Sequence, residues 1–161
     1  MQWRSVSADD TRETKMIALL QRVSHGSVRV EDDIVAEIGR GVLVLVAVQP
    51  DDDERCATRM GERILGYRMF SDSEGKMNLS VMDISGEVLL VPQFTLAAET
   101  GKGMRPSFTK AAKPETARSL FEHLYKNMLS LYPKLSCGRF GATMQVKLVN
   151  EGPVTFMLQT Q

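Results

Sequence analysis

The run Val42-Leu43-Val44-Leu45-Val46-Ala47-Val48 constrains this chain more than any other stretch. It holds no polar residue and does not alternate. A strand with one wet face alternates apolar and polar side chains, so a run like this belongs to a strand covered on both faces. It predicts a segment in the middle of a domain, with layers on either side. It is also far too short to cross a bilayer as a helix.

The 161 residues suit one domain with a real core, and 43% hydrophobic with 25% charged residues is ordinary for a globular chain. Lys+Arg and Asp+Glu both total 20, so any grip on nucleic-acid phosphate must come from local clusters. Met1–Lys15 is polar and without apolar periodicity, and reads as a flexible extension. The texture changes at Met16, a candidate start of the chain proper, and a single domain is expected over 16–161. No secretory signal is evident, so Cys56 and Cys137 are expected as buried free thiols and the protein in the cytoplasm.

Met16–Val23 reads as a first strand, and His25-Gly26 as a turn. Ser27–Val30 and Ile34–Ile38 read as short strands around Glu31-Asp32-Asp33. Acidic residues from Asp51 to Glu54 suit a helix start, and the helix is expected to reach about Leu65 with Gly66 as its stop. Arg55, Arg59 and Arg63 share one face of it, which reads first as a solvated face. Ser71–Asn78 lacks the ligand spacing of a calcium loop and is expected to be a turn.

Glu87–Val91 is a second buried strand, leading directly into Pro92-Gln93-Phe94-Thr95-Leu96. Pro114 opens a second helix carrying the stripe Ala117, Leu120, Phe121, Leu124, Met128 and Leu131, and Tyr132-Pro133 ends it. Two alternating runs, Met144–Leu148 and Val154–Leu158, close the chain around Asn150-Glu151-Gly152-Pro153. The whole predicts an α/β fold: one compact domain of mixed β-sheet layers backed by two helices.

Most hydrolytic equipment is missing. There is no GxSxG elbow, no HExxH and no glycine-rich phosphate loop. His25 and His123 are the only histidines; His123 reads as structural, and His25 is a weak candidate base. No metal and no cofactor is expected, since no ligand cluster has metal-like spacing. An enzyme built this way needs a substrate that is already activated or brings its own catalytic group. An aminoacyl ester on a ribose does both, leaving the protein to position it and stabilise the oxyanion.

Pro92-Gln93-Phe94-Thr95-Leu96 resembles the SQFTL motif of the D-aminoacyl-tRNA deacylase family, and Asn150-Glu151-Gly152-Pro153-Val154-Thr155 is similar to its NxGPxT motif. Leu20–Val23, Phe70–Asp72 with Gly75–Asn78, and Gly103–Phe108 add to the likeness, which runs from about Met16 to the C-terminus.

The resemblance implies a small β/β/α homodimer with active sites at the subunit interface. It implies hydrolysis of D-aminoacyl-tRNA, with glycyl-tRNA mischarged on a noncognate tRNA as a further candidate substrate. Gln93, Phe94 and Thr95 would form the catalytic pocket, the backbone N–H groups of Phe94 and Thr95 holding the oxyanion and a ribose hydroxyl assisting. Gly152 and Pro153, joined by a cis bond and inserted into the partner's pocket, would reject L side chains. Arg22 would brace that loop, with Asn150 in support. Lys102, Arg105, Lys110 and Lys113 would touch RNA, helped by Arg139 and Lys147.

Read without the resemblance, Gly152-Pro153 is a hairpin turn, Phe94 a buried strand end and the basic segment a solvated loop. Pro92 departs from the family serine, removes a backbone donor and marks a strand end. A sister group carrying PQATL removes L-alanine from mischarged tRNA, and this chain shares its proline. That activity, a non-catalytic tRNA-binding module and a generic small-molecule binder are the competing readings.

Overall fold

A computed structural model describes residues 15–160; the extension expected over Met1–Lys15 lies outside the described residues except for its last position. The described chain is one mixed sheet of six strands with a small two-stranded hairpin and two helices. Its axis is β1 (Ile17–Val30), which hydrogen-bonds to three strands. The first half, Ile17–Val23, pairs antiparallel with β3 (Gly41–Ala47), and Gly26–Val30 pairs with β2 (Asp33–Ile38). Along its other edge runs β8 (Gln145–Gln159), paired from Ile17 to Arg29.

The sheet continues from β3 to β6 (Glu87–Pro92) and on to β7 (Leu135–Cys137), both in parallel register. Parallel neighbours need long crossovers. Here they are α1 (Glu54–Gly66), between β3 and β6, and α2 (Pro114–Leu131), between β6 and β7. The hairpin β4 (Phe70–Ser71) and β5 (Met77–Leu79) follows α1. Its turn is tied by the Asp72 carboxylate, which accepts from the N–H groups of Glu74 and Lys76.

The unbroken apolar run of β3 is explained by two cores. Val42, Val44 and Val46 join Val88 and Leu90 of β6 under the helices, against Ala57, Met60, Ile64, Leu120, Phe121 and Leu124. Leu43 points the other way with Leu89 and Val91, into a second cluster roofed by Val23, Val28, Ala36 and Ile38. The second core exists because β1 leaves β3 after Val23 and carries β2 over the opposite face.

Several local expectations are corrected by these long-range pairings. His25-Gly26 is not a turn: Met16–Val23 and Ser27–Val30 are segments of one strand, Met16 lying just before it. The two C-terminal runs are likewise one strand, β8, with Met144 outside it. Gln93–Leu96 does not extend β6, because a 3-10 turn over Phe94–Ala97 begins directly after Pro92 and Gln93. Gly66 is the last helical residue, and the chain leaves α1 through an extended Tyr67. Leu131 ends its stripe exposed, and Cys137 is only half-buried whereas Cys56 is buried. Among the described residues no helix is long and apolar enough to cross a membrane.

Two positions make this architecture testable. A Cβ on Gly41 would lie 1.8 Å from the Glu87 carbonyl oxygen, backbone that cannot step aside without breaking the β3–β6 register. Gly41→Ala is expected to cost at least about 3 kcal/mol in urea unfolding, at the upper end of overpacking penalties. Asp53 caps α1, its carboxylate accepting from the Cys56 N–H at 2.9 Å, and that bond lowers its pKa below the ordinary carboxylate value. A depressed carboxylate stabilises the fold above its ordinary pKa and loses that effect as pH falls through the lowered value. Asp53→Ala should therefore lower Tm at neutral pH, with the gap to the native chain closing in acid.

Candidate active site

Beside the C-terminal ends of β3 and β6, a cleft of about 540 Å³ opens between the sheet and the N-terminal end of α2. Parallel strands deliver their ends to one side, which is where such folds leave room for ligands. Val46–Val48 and Val91–Phe94 form the floor, Ala111, Ala112 and Pro114 one wall, and Phe140–Met144 the other. Among the described residues that line it, none is ionisable. The wall residues around Phe140 and Ala112 carry no motif that marked them in the sequence; Gly141 at φ +79° is the one local sign of a shaped loop.

Pro92 is the last residue of β6, as its missing N–H requires. The next N–H, from Gln93, still reaches the Val46 carbonyl at 2.7 Å, and this pins the start of the 3-10 turn to β3. A helical turn leaves its first N–H groups without intrahelical acceptors, and the Gln93 side chain does not cap this one. Phe94 and Thr95 occupy those first positions. The Gln93 side-chain amide instead donates to the Thr95 hydroxyl, which is not on the cleft wall. Phe94 is 66% exposed, against the buried strand end expected without the motif, and its ring packs on Phe108 at 5.4 Å.

The basic segment meets this cleft at its C-terminal end, where Lys110 and Lys113 adjoin lining residues Ala111, Ala112 and Pro114. Glu99 and Ser107 bond to each other's backbone and close a loop holding Lys102 and Arg105, both exposed. Lys110 reaches Glu99 at 3.6 Å, and Lys113 is the residue before α2. Arg139 and Lys147 are exposed next to lining residues Phe140 and Val146.

Gly152 and Pro153 are elsewhere. Asn150 stands opposite Val23 and Thr155 opposite Gln21, so residues 151–154 bulge out of β8 across from Arg22 alone. This is a bulge inside a strand, not the hairpin turn that the dipeptide alone suggested. The peptide bond between Gly152 and Pro153 is cis, and both residues are exposed. Arg22 braces the bulge, its Nε donating to the Glu151 carbonyl at 2.9 Å while its guanidinium also reaches the Met69 carbonyl at 3.1 Å. Asn150 ties the base: its Oδ1 accepts from the Val154 N–H at 2.7 Å and its Nδ2 donates to the Thr155 hydroxyl at 3.0 Å.

Register separates the two motifs within the subunit. Arg22, facing the bulge, pairs with Val42 at the start of β3, whereas Pro92 pairs with Val46 near its end. Neither Gly152 nor Pro153 lines the cleft of its own chain. His25 is also outside it, 3.4 Å from Glu37 on β2. His123 bonds to the Thr58 hydroxyl at 3.0 Å and joins the two helices. No group of three His, Cys, Asp or Glu residues able to hold a metal occurs among the described residues.

The family model for D-Tyr-tRNA(Tyr) deacylase matches residues 19–159. The chain belongs to that family. A D-aminoacyl-tRNA deacylase of Klebsiella pneumoniae (strain 342) is 58% identical over 144 residues, 89% of this chain and 99% of that protein. Another, from Pseudomonas aeruginosa (strain LESB58), is 56% identical over 145 residues, 90% of this chain and all of that protein. Among solved structures, the c-Myc DNA Unwinding Element Binding Protein superposes with TM-score 0.85 at 36% identity, covering 90% of this chain and 99% of its own. A probable eukaryotic D-amino acid tRNA deacylase shares the fold, with TM-score 0.79 at 19% identity over 90% of this chain and 99% of its own.

Within this deacylase-family fold the Asn150 bonds can be tested apart from activity. Asn150→Ala removes an acceptor and a donor at about 1 kcal/mol each. Amide exchange at Val154 should accelerate in the variant while exchange in β3 and β6 stays native.

Proposed function

We propose that the chain hydrolyses the ester of D-aminoacyl-tRNA, releasing the D-amino acid and a transfer RNA with a free terminal hydroxyl. The observation that carries this reading is the cleft: aromatic and apolar, with no ionisable side chain among the described residues that line it, beside the Pro92–Leu96 motif. Its volume is in the range that takes a nucleoside bearing an amino acid. Aromatic rings at Phe94 and Phe140 offer faces for an unstacked base.

Without a side-chain base, the chemistry rests on position and on the substrate. Water attacks the ester carbonyl, and the backbone N–H groups of Phe94 and Thr95 take the developing oxyanion. The neighbouring ribose hydroxyl orients the water and relays its proton. The bond to the ribose oxygen then breaks, and that oxygen leaves as the protonated hydroxyl. Gln93 holds the turn in place; Thr95 serves through its N–H rather than as a nucleophile.

Chirality is read by a second copy of this chain. Gly152 and Pro153 stand exposed on a braced bulge and away from their own cleft, so the filter reaches the site from the partner of a homodimer. Among the described residues β8 pairs only with β1, and its other edge, with Val149 and Met157 exposed on that strand, gives the partner a surface to cover. An L side chain meets the bulge, a D side chain turns away from it, and glycine offers nothing to reject, so glycyl-tRNA is a second substrate. Lys102, Arg105, Lys110 and Lys113 hold backbone phosphates, with Arg139 and Lys147 beyond them. The protein acts in the cytoplasm without metal or cofactor. Removal of L-alanine, the sister activity suggested by Pro92, is disfavoured by Phe94, whose ring occupies the position where that group has alanine.

The test is release of D- and L-tyrosine from charged transfer RNA. The native chain should release the D form and spare the L form. In Gly152→Ala a new Cβ would sit 2.7 Å from the Val154 side chain and 3.2 Å from the Arg22 guanidinium, at φ +142°. D-release should then fall on the order of a hundredfold, the scale of a misplaced positioning group. Equal release of both esters by the native chain, or native rates in the variant, would refute the filter; no release of either tyrosine, with L-alanine released from mischarged alanyl transfer RNA, would hand the site to the sister activity.

A further inference from the structure

A second hollow, about 370 Å³, lies on the outer face of α2 and shares Pro114, Phe140 and Gly141 with the cleft. Its far side is built from Glu115, Arg118 and Glu122, three residues that helical spacing puts on one face. Arg118 is held there: its guanidinium carbon sits 4.9 Å from the centre of the Phe140 ring. The Phe140 ring is in turn packed on Phe121 of α2 at 6.1 Å. One aromatic wall therefore has a nucleoside-sized cleft on one side and, on the other, a hollow lined by a guanidinium and two carboxylates.

We propose that this hollow is a base subsite that reads the penultimate cytosine of the transfer RNA. The inference rests on the deacylase reading above, in which the terminal adenosine fills the cleft. Transfer RNA ends in an unpaired cytidine-cytidine-adenosine, and a nucleotide leaving the cleft over the shared wall of Pro114, Phe140 and Gly141 enters this hollow. Two carboxylates beside a single guanidinium make a poor seat for phosphate but a good one for a neutral base with both donors and acceptors. Cytosine presents an exocyclic amino group, which a carboxylate accepts, and O2 and N3, to which a guanidinium donates. Uracil reverses the pattern, turning a carbonyl oxygen toward the carboxylates.

The experiment uses an RNA minihelix acylated with D-tyrosine, the same minihelix with the penultimate cytidine changed to uridine, and the D-tyrosyl ester of adenosine. For the native chain the uridine change should lower kcat/KM about tenfold, the scale of one lost base contact. Arg118→Ala should lower the ratio of minihelix to adenosine-ester kcat/KM by about the same factor. The double variant Glu115→Gln/Glu122→Gln, whose amides can donate to the uracil carbonyl, should narrow the preference for cytidine. The subsite is overturned if the native chain treats both minihelices alike, or if Arg118→Ala leaves the ratio where it was. Failure to cleave any of the three esters would overturn the deacylase reading together with the subsite.

Discussion

Everything in this fold depends on β1 being shared. One strand pairs with β3 through its first half, with β2 through its second and with β8 along nearly its whole length. Because it changes neighbours after Val23, the sheet turns over itself and encloses a second core on the face away from the helices. The register against β8 is irregular at the same place, and the excess chain on that strand emerges as the bulge carrying Gly152 and Pro153. The second core and the braced protrusion thus meet at one point of β1, around Val23.

The cleft owes its character to what borders it. Parallel β3 and β6 end on the same side, Pro92 stops the ladder, and the chain turns at once into a short helical turn whose first N–H groups have no side-chain cap. Among the described residues that line it, no side chain is ionisable. Such a site can orient an activated ester and stabilise an oxyanion, but it has no proton acceptor of its own. It suits a substrate with a reactive carbonyl and a neighbouring hydroxyl, and it leaves discrimination to shape. The bulge, by contrast, is exposed backbone fixed by Arg22 and Asn150.

Much of this was legible residue by residue. The unalternating Val42–Val48 run announced a strand buried on both faces, and Pro114 with its stripe announced α2 nearly to the residue. Pro92 marked a strand end because proline cannot donate to a ladder. What failed were continuities and breaks. His25-Gly26 has the composition of a turn, yet Gly26 is buried in mid-strand, where its missing side chain admits Leu43 and Ile38. Gly152-Pro153 has the composition of a hairpin, yet the strand resumes on the same course because β1 lies alongside both halves.

The amino-acid sequence by itself determined the two helices, the central strands, the absence of familiar hydrolytic machinery and, through two short motifs, the family. Those are local properties: periodicity, proline and glycine chemistry, and residue identity act over a few positions. Only the tertiary structure decided that β1 is one strand, that Gly152 and Pro153 stand apart from their own cleft, and that Phe140 separates that cleft from the hollow holding Arg118. Each of these depends on pairing between segments more than a hundred residues apart or on the packing of one loop against a helix. No window of sequence contains that information, because hydrogen-bond partners across a sheet are chosen by the whole fold.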